Sequence, residues 1–321
     1  MPYSTYQELN DAVMAHYPKG EFSQALEILN AAVGQFPEHR TDADYLRSCL
    51  AVRVNELPLA YQILDALYAD RIWISETIFR DSPSYAPLQG QPEFEQRVRA
   101  HAELRARMGA STPAQLDVLP PAKESVPTPT IFHLHGNGSH PSVELPNWQF
   151  AANKGWLVAA PTAQDVFWAG GNAVWPSHAS AETQIAGHFS TLQKDYAIDP
   201  TQIILTGFSM GGDVAMAQTL TGNLIPARGF IAVAPGGPMV DDPESYLPLI
   251  EGARGRGLRG VIMASSGDPA IDLEKIARLA QFLNEGEIPC RLVFYSDEGH
   301  TYPEDFPKRL KSALAFIFRN K

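Results

Sequence analysis

Residues 202–212 read Gln-Ile-Ile-Leu-Thr-Gly-Phe-Ser-Met-Gly-Gly, and this stretch decides the fold. Its apolar start predicts a buried strand, and the residues that follow Gly212 predict a helix. Ser209 therefore lies at the apex of a strand–turn–helix, where its hydroxyl projects clear of the backbone. A serine hydroxyl is a poor nucleophile unless it projects towards a base, so Ser209 is the first candidate catalytic residue. The alternative is a glycine-rich turn with an incidental serine.

The glycines of this turn have a steric role. Gly207 and Gly211 lack Cβ atoms that would collide where the strand and the helix approach closely. Gly212 leaves further room beside the neighbouring strand. A bare G-x-S-x-G pattern occurs by chance, whereas the same pattern between a strand and a helix is specific.

The composition predicts a globular protein with a sizeable core. The 321 residues are comfortable for two domains, with 45% apolar and 19% charged residues. The net charge is −11, and clustered lysines and arginines are missing, so a nucleic-acid partner is not expected. The one basic run, Arg254, Arg256 and Arg259, is interpreted as a solvated loop rather than as an anion-binding site. No stretch approaches about 18 uninterrupted apolar residues, which predicts no membrane span.

The two cysteines and the N-terminus predict a cytoplasmic location. Cys49 and Cys290 fall in apparently separate domains and show no metal-ligand spacing, so free thiols in a reducing compartment are expected. The first residues lack the basic segment and apolar run of a signal peptide.

Residues 1–112 are helical by pattern, and part of the pattern repeats. The small and apolar residues of 25–31 recur 35 residues later in 60–66, with Asn55 standing where Gly20 opens the first copy. The offsets resemble a tetratricopeptide repeat, and two ordinary helical hairpins are the alternative. About two copies are fewer than the ~3 that a solenoid needs to stand alone. We therefore expect this domain to bury a face against the rest of the protein, the other possibility being a concave surface for a protein partner.

The rest of the chain predicts an α/β domain. Residues 113–129 form a proline-rich linker, with a possible edge strand at Leu116–Leu119. From residue 130 to residue 321, apolar strand-like runs alternate with helical patterns, which predicts a mostly parallel sheet with helices on both faces. Active sites in such sheets lie at the carboxyl ends of the strands.

His300 is the candidate general base. It follows the strand-like run 291–295 in a loop, so it belongs to the carboxyl end of that strand. The other histidines compete less well, because they fall in the helical domain, inside a helix or in other loops. The alternative is a surface or structural histidine.

Asp268 is the candidate acid that orients the imidazole. It follows the run 261–264, again at a strand's carboxyl end. The alternative is a turn aspartate that caps the next helix. The rival acids are Asp241, Asp242 and Asp272.

An oxyanion hole needs two backbone N–H groups aimed at the developing negative charge. Met210, directly after the nucleophile, supplies one donor. The second comes from the loop after the first central strand, where Asn137 is the candidate.

Three histidines near that loop also raise the question of a metal site. His133 and His135 would share a strand face, and His140 follows shortly after. No nearby acid completes a ligand set, so no metal is expected. His135 is interpreted instead as a buried, hydrogen-bonded support for the loop.

Together these motifs resemble the α/β-hydrolase superfamily, and most of all its phospholipase/carboxylesterase and acyl-protein-thioesterase branch. The matching segments are His135–Gly136, Tyr196–Pro200, Gly207–Gly212, Gly267–Asp268 and Gly299–His300. The resemblance covers roughly the last 190 residues. It implies the order Ser209, Asp268, His300 for the triad, with no metal and no organic cofactor.

The chain departs from that branch in two respects. Members usually stand alone, whereas this chain adds the helical domain. Residues 139–180 are also unusually aromatic. We expect Trp168 or Trp175, and after them Trp148, to border the acyl pocket, because loops at the strand carboxyl ends overhang the nucleophile.

The sequence thus predicts a serine hydrolase that acts on small-molecule carboxylic esters or thioesters. A serine peptidase of the same fold is one alternative, because the same groups cleave amides. The other alternative is a helical-repeat scaffold protein with a vestigial hydrolase domain.

Overall fold

The computed structural model describes residues 3–109, 113–123, 125–296 and 299–319. The chain folds into two compact units. The first comprises Met1–Ser111 together with Val166–Gly171, and the second comprises Thr112–Asp165 and Asn172–Lys321. The predicted domain boundary, between residues 112 and 113, adjoins residues 110–112, which lie outside the described residues.

The first unit is helical. Its α-helices, within the described residues, are α1 (Tyr6–Met14), α2 (Phe22–Ala31), α3 (Arg40–Arg53), α4 (Leu57–Ala69), α5 (Glu76–Asp81) and α6 (Pro92–Met108). Helix α1 begins with a capping box, in which the Thr5 side chain accepts from the Glu8 N–H and the Glu8 carboxylate reaches back.

Helices α2, α4 and α6 begin at intervals of 35 residues. Two residues before each start, the backbone is left-handed, at Gly20 (φ 69°), Asn55 (φ 62°) and Gly90 (φ 77°). Asparagine is one of the few residues besides glycine that adopt this conformation readily. The sequence pattern did not reveal the third copy, because only one of the repeated small or apolar positions, Val98, is still occupied by a small or apolar residue in α6. The tetratricopeptide interpretation stays a prediction.

The segment Val166–Gly171 packs within this helical unit. Trp168 pairs with Ile74 in an isolated antiparallel bridge, and its ring stacks on that of Tyr45 with centroids 5.5 Å apart. The first unit therefore contains a piece of chain from between two stretches of the second.

The remaining chain alternates strands and helices. The strands are β1 (Leu116–Leu119), β2 (Thr128–Leu134), β3 (Leu157–Pro161), β4 (Asp165–Val166), β5 (Ala173–Val174), β6 (Ile198–Phe208), β7 (Gly229–Val233), β8 (Arg259–Ser265) and β9 (Cys290–Tyr295). The α-helices are α7 (Pro141–Ala152), α8 (His178–Asp195), α9 (Met210–Thr221), α10 (Pro238–Asp241), α11 (Leu247–Ala253), α12 (Leu273–Glu285) and α13 (Phe306–Ile317).

Seven of these strands form one sheet in the order β1-β3-β2-β6-β7-β8-β9. Strand β1 is antiparallel to β3 at the edge, and every other neighbouring pair is parallel. Strands β4 and β5 pair separately. The predicted fold class, an α/β protein with a mostly parallel sheet preceded by a helical region, is confirmed.

Helices cover both faces of the sheet. Ile131 of β2 belongs to the core shared with α7 and α13, whereas the next residue, Phe132, belongs to the core shared with α8. The interior strand β7 is buried along its whole length, as expected for a parallel strand covered on both sides. Because these strands are parallel, their carboxyl ends lie at the same edge of the sheet, where β2, β6, β8 and β9 each lead into a candidate site residue.

Candidate active site

Ser209 occupies a strained turn between β6 and α9. Its φ of 51° and ψ of −125° are rare for a residue with a side chain. The Ser209 N–H donates to Val233 O at 3.1 Å, which fixes the turn against the end of β7. The side chain is half-buried and stands at the start of a helix. The strand, turn and helix around Ser209 follow one another as the sequence predicts.

The glycines of the turn allow a very close approach of backbones. A Cβ atom on Gly207 would lie 2.1 Å from Gly211 O, and one on Gly211 would lie 2.2 Å from Leu134 O. Real Cβ contacts are not this short, so only glycine fits at both positions.

His300 and Asp268 form a hydrogen-bonded pair. His300 Nδ1 lies 2.6 Å from Asp268 Oδ2, and the other carboxylate oxygen accepts from the Ala270 N–H at 2.9 Å. The Asp268 side chain has no exposed surface, whereas that of His300 is 30% exposed. The rival Asp272 instead caps α12 by accepting from the N–H groups of its first turn.

The imidazole of His300 lies beside the turn that carries Ser209. Its ring centroid is 4.8 Å from that of Phe208, the residue directly before the serine. Between the described residues, no hydrogen bond joins the Ser209 hydroxyl to His300. Catalytic hydrogen bonds are often long in unliganded enzymes and tighten only when substrate binds. The loop residues Asp297 and Glu298 lie outside the described residues.

The loop after β2 lies directly against Ser209. A Cβ atom on Gly136 would be 3.2 Å from the Ser209 Cβ. The N–H groups of Asn137 and Met210 donate to no acceptor within the described parts of the chain. Met210 is the first residue of α9, where the helix dipole adds positive character to its N–H.

His135 holds the peptide that carries the Asn137 N–H. Its Nδ1 donates to Gly136 O at 2.7 Å, and its Nε2 accepts from the Ala163 N–H at 3.0 Å. Burial lowers the pKa of His135 to about 4, so the ring is neutral and its tautomer is fixed by these two partners. The predicted supporting role of His135 agrees with these contacts.

Trp175 also supports this loop. Its backbone N–H donates to Asn137 Oδ1 at 2.7 Å, and its indole N–H donates to His135 O at 2.8 Å. The residue is only 1% exposed. Trp175 therefore contacts the loop after β2 through two hydrogen bonds, and its ring is buried.

The other two candidate pocket residues have surroundings of their own. Trp148 is wholly buried between His133 and Phe306, with ring centroids 4.8 and 5.1 Å away. Trp168 belongs to the helical unit. These placements give no support to an acyl-pocket role for either tryptophan.

His133 has partners that the sequence did not reveal. Its Nδ1 lies 3.0 Å from Thr206 Oγ1, and its Nε2 lies 2.8 Å from Glu144 Oε2. The sequence did not indicate that an acid lies near His133, and it is α7 that brings Glu144 to the strand. His140 accepts from the Ser142 N–H at the start of α7. In the part of the chain that the structure describes, no group of three potential metal ligands occurs.

A second buried acid lies one helical turn after Ser209. Asp213 has no exposed surface and accepts from His178 Nε2 at 3.1 Å and from the Met239 N–H at 3.2 Å. The Tyr246 hydroxyl also donates to its carboxylate. Sequence reasoning missed this cluster, because its members come from four separate segments.

Comparisons with known proteins give a consistent picture. No protein-family model matches the sequence, and no curated protein matches it. The solved structure of an uncharacterized protein from Bacillus cereus ATCC 10987 is similar over 98% of this chain and 99% of its own, with 19% identity and a TM-score of 0.54. Esterase PE8 is similar over 64% of this chain and 100% of its own, with 21% identity and a TM-score of 0.54.

Est1E from Butyrivibrio proteoclasticus, with ferulic acid bound, is similar over 64% of this chain and 94% of its own, with 12% identity and a TM-score of 0.51. The fold is that of the α/β-hydrolases. At such identities the likeness establishes the fold, and any function has to be argued from the site. Among the described residues, no helix is long and apolar enough to cross a membrane.

Proposed function

We propose that this protein is a serine hydrolase that cleaves carboxylic esters, with Ser209 as nucleophile, His300 as general base and Asp268 as the orienting acid. The observation that carries the proposal is the His300–Asp268 pair beside a serine in a strained strand-to-helix turn. Strained backbone persists only where the surroundings impose it, and it is concentrated at functional sites.

The hydrogen bond to Asp268 assigns the proton on the imidazole. A carboxylate only accepts, so His300 Nδ1 carries the hydrogen and Nε2 keeps the lone pair that acts as a base. Nε2 takes the proton from the Ser209 hydroxyl as Oγ attacks the acyl carbonyl carbon. The imidazolium that forms is stabilised by the buried Asp268 carboxylate.

The acyl group is then transferred in two steps. The tetrahedral intermediate collapses when His300 returns the proton to the leaving alcohol, and Ser209 keeps the acyl group as an ester. A water molecule, deprotonated by His300, attacks this ester, and His300 then returns the proton to Ser209 Oγ as the acid is released. Negative charge on the former carbonyl oxygen is stabilised by the Met210 and Asn137 N–H groups. This chemistry needs neither a metal nor an organic cofactor.

Esters are the substrates to test first. Thioesters react by the same steps, because only the leaving group differs. A peptidase is the nearest alternative, since the same groups attack amides. Two of the solved structures with this fold are of esterases, which favours esters over peptides as the starting point.

The test uses a fluorophosphonate probe and a chain-length series of p-nitrophenyl esters. We expect the purified protein to become labelled on Ser209 and to hydrolyse at least one ester. Ser209→Ala should lower kcat/KM by at least about 10³-fold and abolish labelling. Ser245→Ala is the matched control, because among the described residues its hydroxyl donates to the Met239 carbonyl and to no other group.

The alternatives give different results. Faster cleavage of p-nitroanilides than of the matched esters would favour a peptidase. A wild-type protein that neither takes up the probe nor cleaves any ester would contradict the proposal. It would leave the helical region, interpreted as a tetratricopeptide-like binding module for a protein partner, as the functional part.

A further inference from the structure

A buried carboxylate lies beneath the candidate active site. Glu144 of α7 is 3% exposed, and its two oxygens have separate partners. Oε1 accepts from the Gly136 N–H at 2.9 Å. Oε2 accepts from His133 Nε2 at 2.8 Å and from the Tyr302 hydroxyl at 3.2 Å. Three donors from two distant parts of the chain, β2 with the loop after it and the loop that carries Tyr302, therefore converge on one side chain.

These segments are the ones that carry the site. Gly136 precedes Asn137, whose N–H is a proposed oxyanion donor. Tyr302 comes two residues after His300, and its ring stacks on that of Phe208 at 5.1 Å with an interplanar angle of 16°. Through its two oxygens, Glu144 joins the loop after β2 (the oxyanion loop) to the loop that carries His300. The Tyr302 ring extends the contact to the turn that carries Ser209.

We propose that Glu144 is a positioning residue, which holds the oxyanion loop in register with the His300 loop. The inference rests on the proposed function, because the register matters only if both loops take part in catalysis. His133 completes the arrangement, since its second nitrogen binds Thr206 on β6 and so anchors the carboxylate to the strand that leads to Ser209.

The charge of Glu144 supports this role. Burial acts to raise the pKa of its carboxyl group, but the hydrogen bonds from His133 and from the Gly136 N–H outweigh it and hold the pKa below its usual range. The group is therefore ionised at neutral pH, and hydrogen bonds to an ionised acceptor are the stronger ones. Well-packed apolar side chains often stabilise a fold as much as a buried ionic cluster does. Apolar side chains would fill this space equally well, but they would not orient the two loops through hydrogen bonds. Orientation of the loops therefore accounts for a buried ionic cluster at this position.

The experiment compares Glu144→Ala with Glu144→Gln in ester hydrolysis. Alanine removes every acceptor, so the His135–Gly136 peptide, which directly precedes the peptide that carries the Asn137 N–H, loses its hydrogen bond to α7. Removal of one oxyanion donor costs about 10²–10³-fold in kcat, which sets the upper limit for a misplaced donor. We expect Glu144→Ala to lower kcat by about 10–100-fold with KM changed less than about 3-fold. Glutamine keeps an acceptor oxygen for the Gly136 N–H, so it should retain kcat within about 5-fold.

The control for general destabilisation is Asn284→Ala. The Asn284 amide makes two hydrogen bonds to Cys290 at the amino end of β9, at the edge of the sheet opposite the site, and a third to Ala280 O within α12. We expect this variant to lower the melting temperature while kcat stays within about 2-fold of the wild type. The proposal is overturned if Glu144→Ala keeps wild-type kcat, if Glu144→Gln loses as much as alanine, or if Asn284→Ala lowers kcat equally.

Two further results keep the test decisive. If Glu144→Ala does not fold, Tyr302→Phe replaces it, because phenylalanine keeps the stacked ring and removes one donor. It should lower kcat about 3-fold at constant KM, and an unchanged kcat overturns the proposal. A wild-type protein without esterase activity or probe labelling contradicts the proposed function itself, and this result is separate from any effect of Glu144.

Discussion

Replacing Gly211 with alanine tests how closely the turn that carries Ser209 approaches the end of β2. Strand β2 leads to the proposed oxyanion donor Asn137. The new Cβ atom would lie 2.2 Å from Leu134 O and 2.5 Å from His135 O. Ordinary contacts begin at 3.4 Å, so the two backbones have to separate by about 1.2 Å, the difference between 3.4 and 2.2 Å. Both obstructing atoms are backbone oxygens of β2 and its loop, so no side-chain rotation relieves the clash.

The required separation affects stability and catalysis together. Overpacking a core costs about 1–3 kcal/mol and occasionally more, and a clash between two backbones belongs at the upper end. We therefore expect the free energy of unfolding to fall by about 3 kcal/mol or more. Met210 precedes Gly211, and Asn137 follows the displaced strand, so the two proposed oxyanion donors move apart by about 1 Å. A misplacement of that size costs about 10²-fold in rate.

Urea unfolding followed by tryptophan fluorescence, together with ester hydrolysis, measures both effects. Gly187→Ala in the exposed part of α8 is the control, because its Cβ would meet nothing within 4 Å and alanine should stabilise the helix by up to about 1 kcal/mol. Gly136→Ala is intermediate, with new contacts of 3.0 Å to Phe208 and 3.2 Å to Ser209. A Gly211→Ala protein within about 1 kcal/mol of wild-type stability would refute the reasoning.

Three other predictions follow from buried contacts. Burial lowers the pKa of His135 to about 4, against ~6.5 in an unfolded chain, so the unfolded state binds more protons between these values. The free energy of unfolding should therefore fall by up to about 3 kcal/mol as the pH drops from 6.5 to 4; pH-independent stability in urea titrations over this range would contradict it. Trp168→Ala should destabilise the helical unit by about 2 kcal/mol through loss of the ring stacked on Tyr45, and Trp168→Phe should destabilise it less. Equal amide hydrogen exchange in the wild type and both variants would argue against this packing. Trp175→Phe removes the hydrogen bond to His135 O and should lower kcat without changing the preferred acyl length, whereas a changed preference would support the pocket role that the sequence predicted.

The parts of the site that the sequence predicts are those governed by local rules. The strand, glycine turn and helix around Ser209 are contiguous, so a pattern of six residues carries their geometry. His300 and Asp268 come from distant parts of the chain, yet both follow predicted strands. Because parallel strands end at the same edge of a sheet, that position alone brings the two residues close enough for the observed 2.6 Å contact.

Glu144 escaped prediction because its helix was not recognised. Helix α7 contains Pro141 and Pro146, and proline usually argues against a helix. Pro141 is tolerated because it stands in the first turn, where an N–H would have no helical partner in any case. Pro146 removes one hydrogen bond inside the helix, and the packing of Trp148 and its neighbours between β2 and α13 outweighs the loss. Without the helix, nothing in the sequence brings this carboxylate to His133.

The tryptophans illustrate a different limit. A loop at the strand carboxyl ends is the correct region for a substrate pocket, but large rings are placed by whatever core can surround them. Trp148 lies on an unpredicted helix that turns it inward, and Trp168 lies in a segment that packs with other helices altogether. The destination of an aromatic ring depends on surfaces that are distant in sequence, so its position along the chain does not determine its neighbours.

The connection between the two units also bears on what the helical region does. The chain passes from one unit to the other at residues 111–112, and again on either side of Val166–Gly171. A module attached by one flexible linker has a single crossing, which is not how this chain is connected. The residues that follow Val166–Gly171 contact the loop after β2. Ala173 O accepts from the Gly138 N–H, and the Trp175 N–H donates to the Asn137 side chain. The helical unit is thus joined covalently, through only a few residues, to Ala173 and Trp175, which contact the loop of the proposed oxyanion donor Asn137. Removing residues 1–112 should therefore change the esterase kinetics rather than leave an unaltered hydrolase.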